Sequence, residues 1–296
     1  MSRDKQAEPR EADSGEWRLE RPATDGIEVR RRHAANRSAF NEGARTYAAD
    51  IERATEFLAS GNSNMHPIER RNLERYGPLP YWCRTAVHLQ CAGGLDTLSL
   101  LVEGAGSVVG IDISDAMIEA ARELSRRTGM SARWYCCDVI DTPAELDRSA
   151  DLVYTGRGAL PWIHDLTAWA AVVERLLRPG GVVCIYDSHP FQAMISWESS
   201  ELTFAPQTSC FDYADSEKGW SDEYIGEIEG IDVSKQTRKY ERVWPVAEVV
   251  QALIDAGLVL DRLGEHTEDF WRPFPALSDP ERTRIPNTFS VCARKR

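Results

Sequence analysis

The chain has 296 residues, of which 42% are apolar and 28% charged, a composition typical of a globular protein and not of a disordered or fibrous one. Its 35 basic and 47 acidic side chains give a formal charge of −12, which disfavours a nucleic-acid partner because an acidic surface repels phosphates. No apolar segment reaches the roughly 20 residues that span a bilayer, so we expect no membrane partner. The seven cysteines form no CxxC pair, which predicts free thiols, no metal site and a cytoplasmic location.

The first 80 residues divide into two predicted regions. Residues 1–32 are charged and poor in apolar side chains, so we expect a flexible tail, an arm that could pack on a second copy of the chain. Residues 33–80 predict a helical lid, because apolar side chains from Asn36 onward recur at helical spacing. Tyr47 on this first helix is either a lid over a bound ligand or part of the lid's own core.

Strands and helices alternate strictly from residue 86 to residue 186. Repeated units of this size predict an α/β fold, a doubly wound, Rossmann-like parallel sheet with helices on both faces. We therefore place one domain over residues 81–296. The alternation breaks at about residues 190–245, a stretch rich in aromatic residues that predicts an inserted cap, partly hairpin.

Small and acidic residues follow the first strands of this sheet. The turn Gln90–Thr97 contains Gly93 and Gly94, and Asp112 and Asp138 each follow a later strand. Ligands of open α/β sheets bind at the carboxyl ends of the strands, where a carboxylate can accept both hydroxyls of a ribose. The pattern predicts an adenosine-like ligand, and the alternative is a plain strand–helix turn whose acids cap helices.

The sequence of this turn also distinguishes between two classes of cofactor, dinucleotides and sulfonium nucleosides. Dinucleotide enzymes use G-x-G-x-x-G, because the backbone must clear a pyrophosphate. Only Gly93 and Gly94 are present here, so an oxidoreductase is disfavoured and a phosphate-free sulfonium nucleoside is favoured.

Four blocks in order, VHLQCAGGLDTLS (87–99), VGIDIS (109–114), CDV (137–139) and LLRPGG (176–181), resemble class I S-adenosylmethionine-dependent methyltransferases. The first block is similar to a bacterial branch that includes small-molecule methyltransferases of specialised metabolism. The family's D-x-G-x-G-x-G positions hold His88, Gln90, Ala92 and Gly94 here, so only the last glycine matches. The resemblance implies a seven-stranded sheet of order 3-2-1-4-5-7-6, counted along the chain, whose last strand is antiparallel.

The resemblance also implies the cofactor, S-adenosylmethionine, and its site. Asp112 would bind the ribose, Asp138 would face the adenine amino group, and Ile113 would pack on the adenine ring. The positions that we expect to contact the cofactor are Tyr47, Gln90, Ala92, Gly93, Gly94, Asp112, Ile113, Met117, Asp138, Val139, Thr155 and Gly156.

The implied reaction is transfer of a methyl group by in-line displacement to a small, apolar or aromatic metabolite at carbon, nitrogen or oxygen. An S-adenosylmethionine-dependent cyclase, or methylation that triggers ring closure, is the alternative on the same fold, and a non-catalytic nucleotide-binding protein is a further one. Product analysis with a labelled methyl group separates these hypotheses.

His189 is the candidate general base or substrate anchor, because it follows a strand end that should face the methyl group. Its alternative role is to hold the turn before Pro190. Aromatic side chains of the fourth-strand loop and the cap are candidate substrate contacts, the alternative being that they form the small core of the insertion. These candidates are Trp162, Trp197, Trp220 and Tyr224.

Overall fold

The computed structural model describes residues 17–211, 213–222 and 224–296. Its helices are α1 (Gly26–Ala49), α2 (Ile51–Ala59), α3 (Pro67–Glu74), α4 (Leu79–Trp82), α5 (Leu95–Val102), α6 (Asp115–Thr128), α7 (Leu166–Leu176), α8 (Val246–Asp255) and α9 (Asp279–Arg282). Its strands are β1 (Arg18–Glu20), β2 (Ala86–Leu89), β3 (Val108–Asp112), β4 (Arg133–Cys136), β5 (Ala150–Gly156), β6 (Leu177–Ser188), β7 (Tyr213–Glu217), β8 (Lys239–Val243), β9 (Leu258–His266) and β10 (Thr288–Lys295).

The central sheet has the order β4-β3-β2-β5-β6-β10-β9. Strands β2 to β6 are parallel, and β10 runs antiparallel to both of its neighbours. Counted along the chain within this sheet, the order is 3-2-1-4-5-7-6. The predicted fold, strand order and antiparallel last strand are therefore confirmed. The order reverses between β2 and β5, so a ligand crevice is expected outside their carboxyl ends.

Helices cover both faces of the central sheet, as its apolar strands require. Trp169 of α7 and Val249 of α8 are fully buried in the core on one face. Leu73 of α3 and Leu98 of α5 occupy the core on the other face. Burying one such aliphatic side chain contributes about 1.5–3 kcal/mol, so the strand–helix layers stabilise the platform on which the loops stand.

The predicted boundary of the tail at residue 32 is wrong, because structure begins earlier in the described residues. Strand β1 pairs with β7, and α1 starts at Gly26, where the Asp25 side chain accepts the amides of Ile27 and Glu28 at 2.9 Å. An acid followed three residues later by Glu28 is a helix-start signal that the sequence did offer. Residues 1–16 of the predicted tail lie outside the described residues.

The helix that the apolar spacing from Asn36 onward predicts is in fact two helices, since α1, which we call the lid helix, ends at Ala49 and α2 begins at Ile51. Strands β1, β7 and β8 form a second sheet, which we call the cap sheet. Its β7–β8 pair lies where a partial hairpin was expected, and β1 is an addition that the sequence did not indicate. None of the described helices combines the length and apolar content that a bilayer-spanning segment requires.

Candidate active site

A cavity of about 880 Å³ lies between the carboxyl ends of the central strands and the cap sheet. The fold therefore brings most of the predicted site residues together, although they come from segments far apart in the chain. The predicted residues that line the cavity are Tyr47, Gln90, Ala92, Asp112, Ile113, Asp138, Val139, Gly156, Trp162, His189, Trp197, Trp220 and Tyr224.

The turn after β2 is packed tightly on both sides. Ala92 and Gly94 have positive φ angles of 44° and 84°, a region that residues with a side chain rarely adopt. A Cβ atom on Gly94 would lie 2.6 Å from the Trp134 ring, and one on Gly93 would lie 2.5 Å from the Tyr47 ring. The two glycines thus let Tyr47 of α1 and Trp134 of β4 approach this turn closely.

Asp112 ends β3 and holds the turn from the neighbouring strand. Its carboxylate accepts the amide of Ala92 at 2.8 Å and the amide of Ser114 at 2.9 Å. The residue is only 9% exposed, and burial raises the pKa of Asp112 to about 6. An ionised carboxylate here can accept hydroxyl groups of a ligand that lies along the turn.

Asp138 lines the cavity and is held by the lid helix. Its carboxylate lies 2.7 Å from His33 Nδ1 and 3.1 Å from Arg30 Nη1. The other ring nitrogen of His33 accepts the amide of His164 at 3.1 Å, so Nδ1 carries the proton and donates it to Asp138. The sequence offered no partner for His33. The role of Asp138 toward an adenine ring stays a prediction.

Four residues predicted to contact the cofactor do not line the cavity. Gly93 and Gly94 belong to the turn but face Tyr47 and Trp134. Met117 is fully buried in the core beneath α1, and Thr155 is fully buried with its hydroxyl 3.5 Å from the Gln90 side chain. Packing inside the fold occupies the side chains of Met117 and Thr155, and the contacts predicted for these two residues stay predictions.

His189 lines the cavity, but both of its ring nitrogens are occupied by the protein. Nδ1 accepts the amide of Phe191 at 3.1 Å, and Nε2 lies 3.0 Å from a Glu265 carboxylate oxygen. Burial lowers the pKa of His189, which favours the neutral ring. Since the one lone pair of that ring is used by Phe191, this geometry favours the turn-holding role, and the role of general base stays a prediction.

The predicted substrate aromatics fall into two groups in the cavity wall. The ring centroids of Trp162 and Trp220 are 5.8 Å apart, and those of Trp220 and Tyr224 are 5.7 Å apart. Trp197 instead packs on Trp271 at 5.3 Å. The first group forms a continuous aromatic wall next to the lid helix, and Trp197 belongs to a separate part of the cavity.

Asp187 is a supporting residue that the sequence analysis missed. It is fully buried near the end of β6 and accepts the amides of Gly158, Ala159 and Leu160 at 2.7, 3.1 and 2.9 Å. Burial raises the pKa of Asp187 to about 6. Like Asp112, it is an acid close to the carboxyl end of a parallel strand, and that signal could have found it.

A buried ion-pair network ties the lid to the loop after β5. The Arg157 guanidinium lies 2.7 Å from Glu69 on α3 and 3.3 Å from Asp96 on α5. The Tyr154 hydroxyl donates a further hydrogen bond to Glu69. Glu69 is 1% exposed and stands 88 positions from Arg157 in the chain, so no local pattern could have predicted this pair.

Comparison with known proteins agrees with this arrangement of strands and loops. Residues 86–181 match the family described as "Methyltransferase domain". The match covers the strands and turns that carry Ala92, Asp112 and Asp138, and it supports the predicted enzyme class.

The chain is also similar to curated relatives and to solved structures. The "Ribosomal protein L11 methyltransferase" of Photobacterium profundum is 30% identical over 151 residues, 50% of this chain and 49% of the relative. The chain thus spans about half the length of the curated relatives it matches. An S-adenosylmethionine-dependent methyltransferase from Clostridium acetobutylicum aligns with a TM-score of 0.53 at 13% identity over 78% of this chain and 92% of that chain.

A second structural neighbour is geranyl diphosphate C-methyltransferase from Streptomyces coelicolor A3(2), determined with S-adenosyl-L-homocysteine. It aligns with a TM-score of 0.51 at 15% identity over 77% of this chain and 75% of that chain. At such identities these likenesses show the fold alone. The predicted cofactor agrees with both neighbouring structures. The Clostridium protein is named as S-adenosylmethionine-dependent, and the Streptomyces structure contains S-adenosyl-L-homocysteine, the demethylated form of this cofactor.

Proposed function

We propose that this protein is an S-adenosylmethionine-dependent methyltransferase that acts on a small metabolite, as the resemblance to the bacterial specialised-metabolism branch suggests. The observation that carries the proposal is the buried Asp112 carboxylate, 2.8 Å from the Ala92 amide in the turn beside the cavity. The match of residues 86–181 to the methyltransferase domain family supports the methyltransferase part of the proposal.

The residues around Asp112 fit the nucleoside part of this cofactor. Asp112, when ionised, would accept the two ribose hydroxyls. Ile113 and Val139 offer apolar side chains in the cavity wall for the adenine ring, with Asp138 beside them. When bound, S-adenosylmethionine supplies a methyl group on a sulfonium, which is already activated for displacement.

The aromatic wall would hold and orient the acceptor. Trp162, Trp220 and Tyr224 supply rigid rings that fix a flat or apolar substrate at low entropic cost. Displacement at an activated carbon depends mainly on alignment of the two reacting atoms, and such positioning can supply several kcal/mol of rate enhancement. His189 then acts as a wall and turn-holding residue, and an acceptor without a dissociating proton needs no base.

A ribosomal protein is the second candidate substrate, because the curated relatives are named for one. The cap sheet argues for the small molecule. Tyr213, Asp215 and Glu241 of the cap sheet line the same cavity as Asp112. A substrate enclosed between these two walls must be small, whereas a protein substrate needs an open approach to the methyl group.

The test combines binding with product analysis. In calorimetry, the full chain should bind S-adenosylhomocysteine and leave NAD unbound. With S-adenosylmethionine labelled in its methyl group and a bacterial metabolite extract, the label should move to small molecules. Label on protein would support the ribosomal substrate, and turnover of the cofactor without label transfer would support the cyclase. Tighter binding of NAD would refute the proposal.

Replacing Tyr47 with alanine tests the lid. We expect the affinity for S-adenosylhomocysteine to fall about tenfold, since the ring that covers Gly93 contributes roughly 1–2 kcal/mol of apolar contact. Tyr81→Ala is the matched control, because Tyr81 is exposed and does not line the cavity. Unchanged affinity together with a lower melting temperature would assign Tyr47 to the core instead.

A further inference from the structure

The cap sheet presents a row of charged side chains to the cavity. On β7 and β8 the register places Asp215 opposite Glu241, and Glu217 opposite Lys239. All four residues line the cavity, as expected for alternate residues that share one face of a sheet. This face therefore carries more carboxylates than cations.

Two of the carboxylates have partners within the cap. The Lys239 ammonium lies 2.5 Å from the Glu217 carboxylate, so this pair is neutralised. Asp215 accepts the indole N–H of Trp17 and the hydroxyl of Tyr213, both at 3.1 Å. These neutral donors fix the position of the Asp215 carboxylate, and the one nearby ammonium, that of Lys239, is already paired with Glu217.

Glu241 differs from Glu217 and Asp215, since within the described residues its carboxyl group makes neither a hydrogen bond nor an ion pair. The other nearby cations of the cap are engaged elsewhere. The Lys218 ammonium donates to the carbonyl of Ser234 at 2.5 Å, and the Arg242 guanidinium donates to the carbonyl of Tyr213 at 2.9 Å. A carboxyl group kept in an interior cavity without a partner indicates that a ligand provides one.

The electrostatics of Asp215 and Glu241 indicate the charge that this ligand carries. Like charges directly opposite each other on one sheet face destabilise the sheet. Burial, and after it the charge of Asp215, raises the pKa of Glu241 to about 8. A cation placed between the two carboxyl groups would favour the ionised form of both and remove this repulsion.

We propose that Glu241 and Asp215 bind a positively charged amine of the acceptor substrate, whose apolar part lies against the aromatic wall. The inference rests on the proposed function, because it names the substrate class of the same cavity. The Lys239 ammonium lies 4.8 Å from the centroid of the Trp220 ring, which shows that the aromatic wall accommodates a cation at its face. The acceptor is thus an amine with an aromatic or aliphatic body.

The experiment uses three probes that share one indole ring: tryptamine as the cation, tryptophol as the neutral analogue and indole-3-acetate as the anion. Each is titrated calorimetrically into the full chain, with and without saturating S-adenosylhomocysteine. We expect tryptamine to bind about tenfold more tightly than tryptophol, the value of one charge-assisted contact of about 1.4 kcal/mol, and indole-3-acetate to bind most weakly.

Glu241→Gln should abolish the preference for tryptamine, whereas Glu227→Gln, the same change at an exposed carboxylate of the cap, should preserve it. Thermal melting checks that both variants fold, and Asp215→Asn replaces Glu241→Gln if that variant does not. Equal binding of tryptamine and tryptophol, no binding of tryptamine at millimolar concentration, or a preference retained in the variant would overturn the inference. Failure of S-adenosylhomocysteine to bind would instead refute the proposed function, and the titrations without it still decide the amine preference.

Discussion

Replacing Arg157 with methionine is expected to lower the free energy of unfolding by about 3–5 kcal/mol, the cost of leaving one partner of a buried ion pair alone. Methionine keeps most of the side-chain length but removes the charge that faces Glu69 at 2.7 Å. Because Glu69 is 1% exposed, water cannot replace the guanidinium. Equilibrium urea denaturation of wild type and variant measures the difference.

The loss of stability in the Arg157→Met variant should increase with pH. Burial raises the pKa of Glu69 in the folded protein, and removal of Arg157 raises this pKa further. A carboxyl group whose pKa is higher in the folded state costs stability above its unfolded pKa, so the deficit of the variant should grow from pH 5 to pH 8. A deficit that shrinks over this range would contradict the assignment.

Two further variants identify the cause of the loss. Arg53→Met removes an arginine whose side chain is 81% exposed and paired with Asp50, and it should change stability little. Glu69→Gln combined with Arg157→Met should recover part of the lost stability, because the fully buried position 69 then carries no charge. If Arg157→Met costs less than about 1 kcal/mol, the network is not the tie between the lid and the loop after β5.

Replacing Asp112 with alanine is expected to raise the dissociation constant of S-adenosylhomocysteine about 10- to 100-fold. The physical reason is the loss of hydrogen bonds from an ionised carboxylate to hydroxyl groups, each worth about 1.5–3 kcal/mol. The measurement is calorimetric titration, with thermal melting to check the fold, since the Ala92 and Ser114 amides also lose their acceptor. Asp255→Ala, an exposed aspartate at the end of α8, is the matched control and should bind as wild type does.

The pH dependence of binding gives a second view of Asp112. Burial raises its pKa to about 6, and the protonated carboxyl group accepts hydroxyl donors poorly. The affinity for S-adenosylhomocysteine should therefore fall as the pH drops through about 6, and Asp112→Asn should remove this dependence. A dependence that persists in Asp112→Asn would assign the titration to another buried acid, such as Asp187, and the ribose contact would lose its support.

The local pattern of residues along the chain was enough to predict the central sheet and the Asp112 side of the site. Short, largely apolar segments alternate with helical ones from Ala86 to Tyr186, so alternation alone predicted the layers. Asp112 was predictable because an acid at a strand end is a local feature. Residues 26–32 of α1 were missed because that stretch carries polar side chains on its buried face, where Arg32 donates to a backbone carbonyl.

The sequence by itself determined the α/β order, the turn after the first strand of the central sheet and the carboxylate next to it, since all of these follow from periodicities within a few residues. Tertiary structure alone decided which groups meet in the cavity. It placed Glu69 beside Arg157, occupied the lone pair of His189 and left Glu241 facing Asp215. Those outcomes depend on strand register and on burial of partners tens of residues apart, neither of which local periodicity can specify.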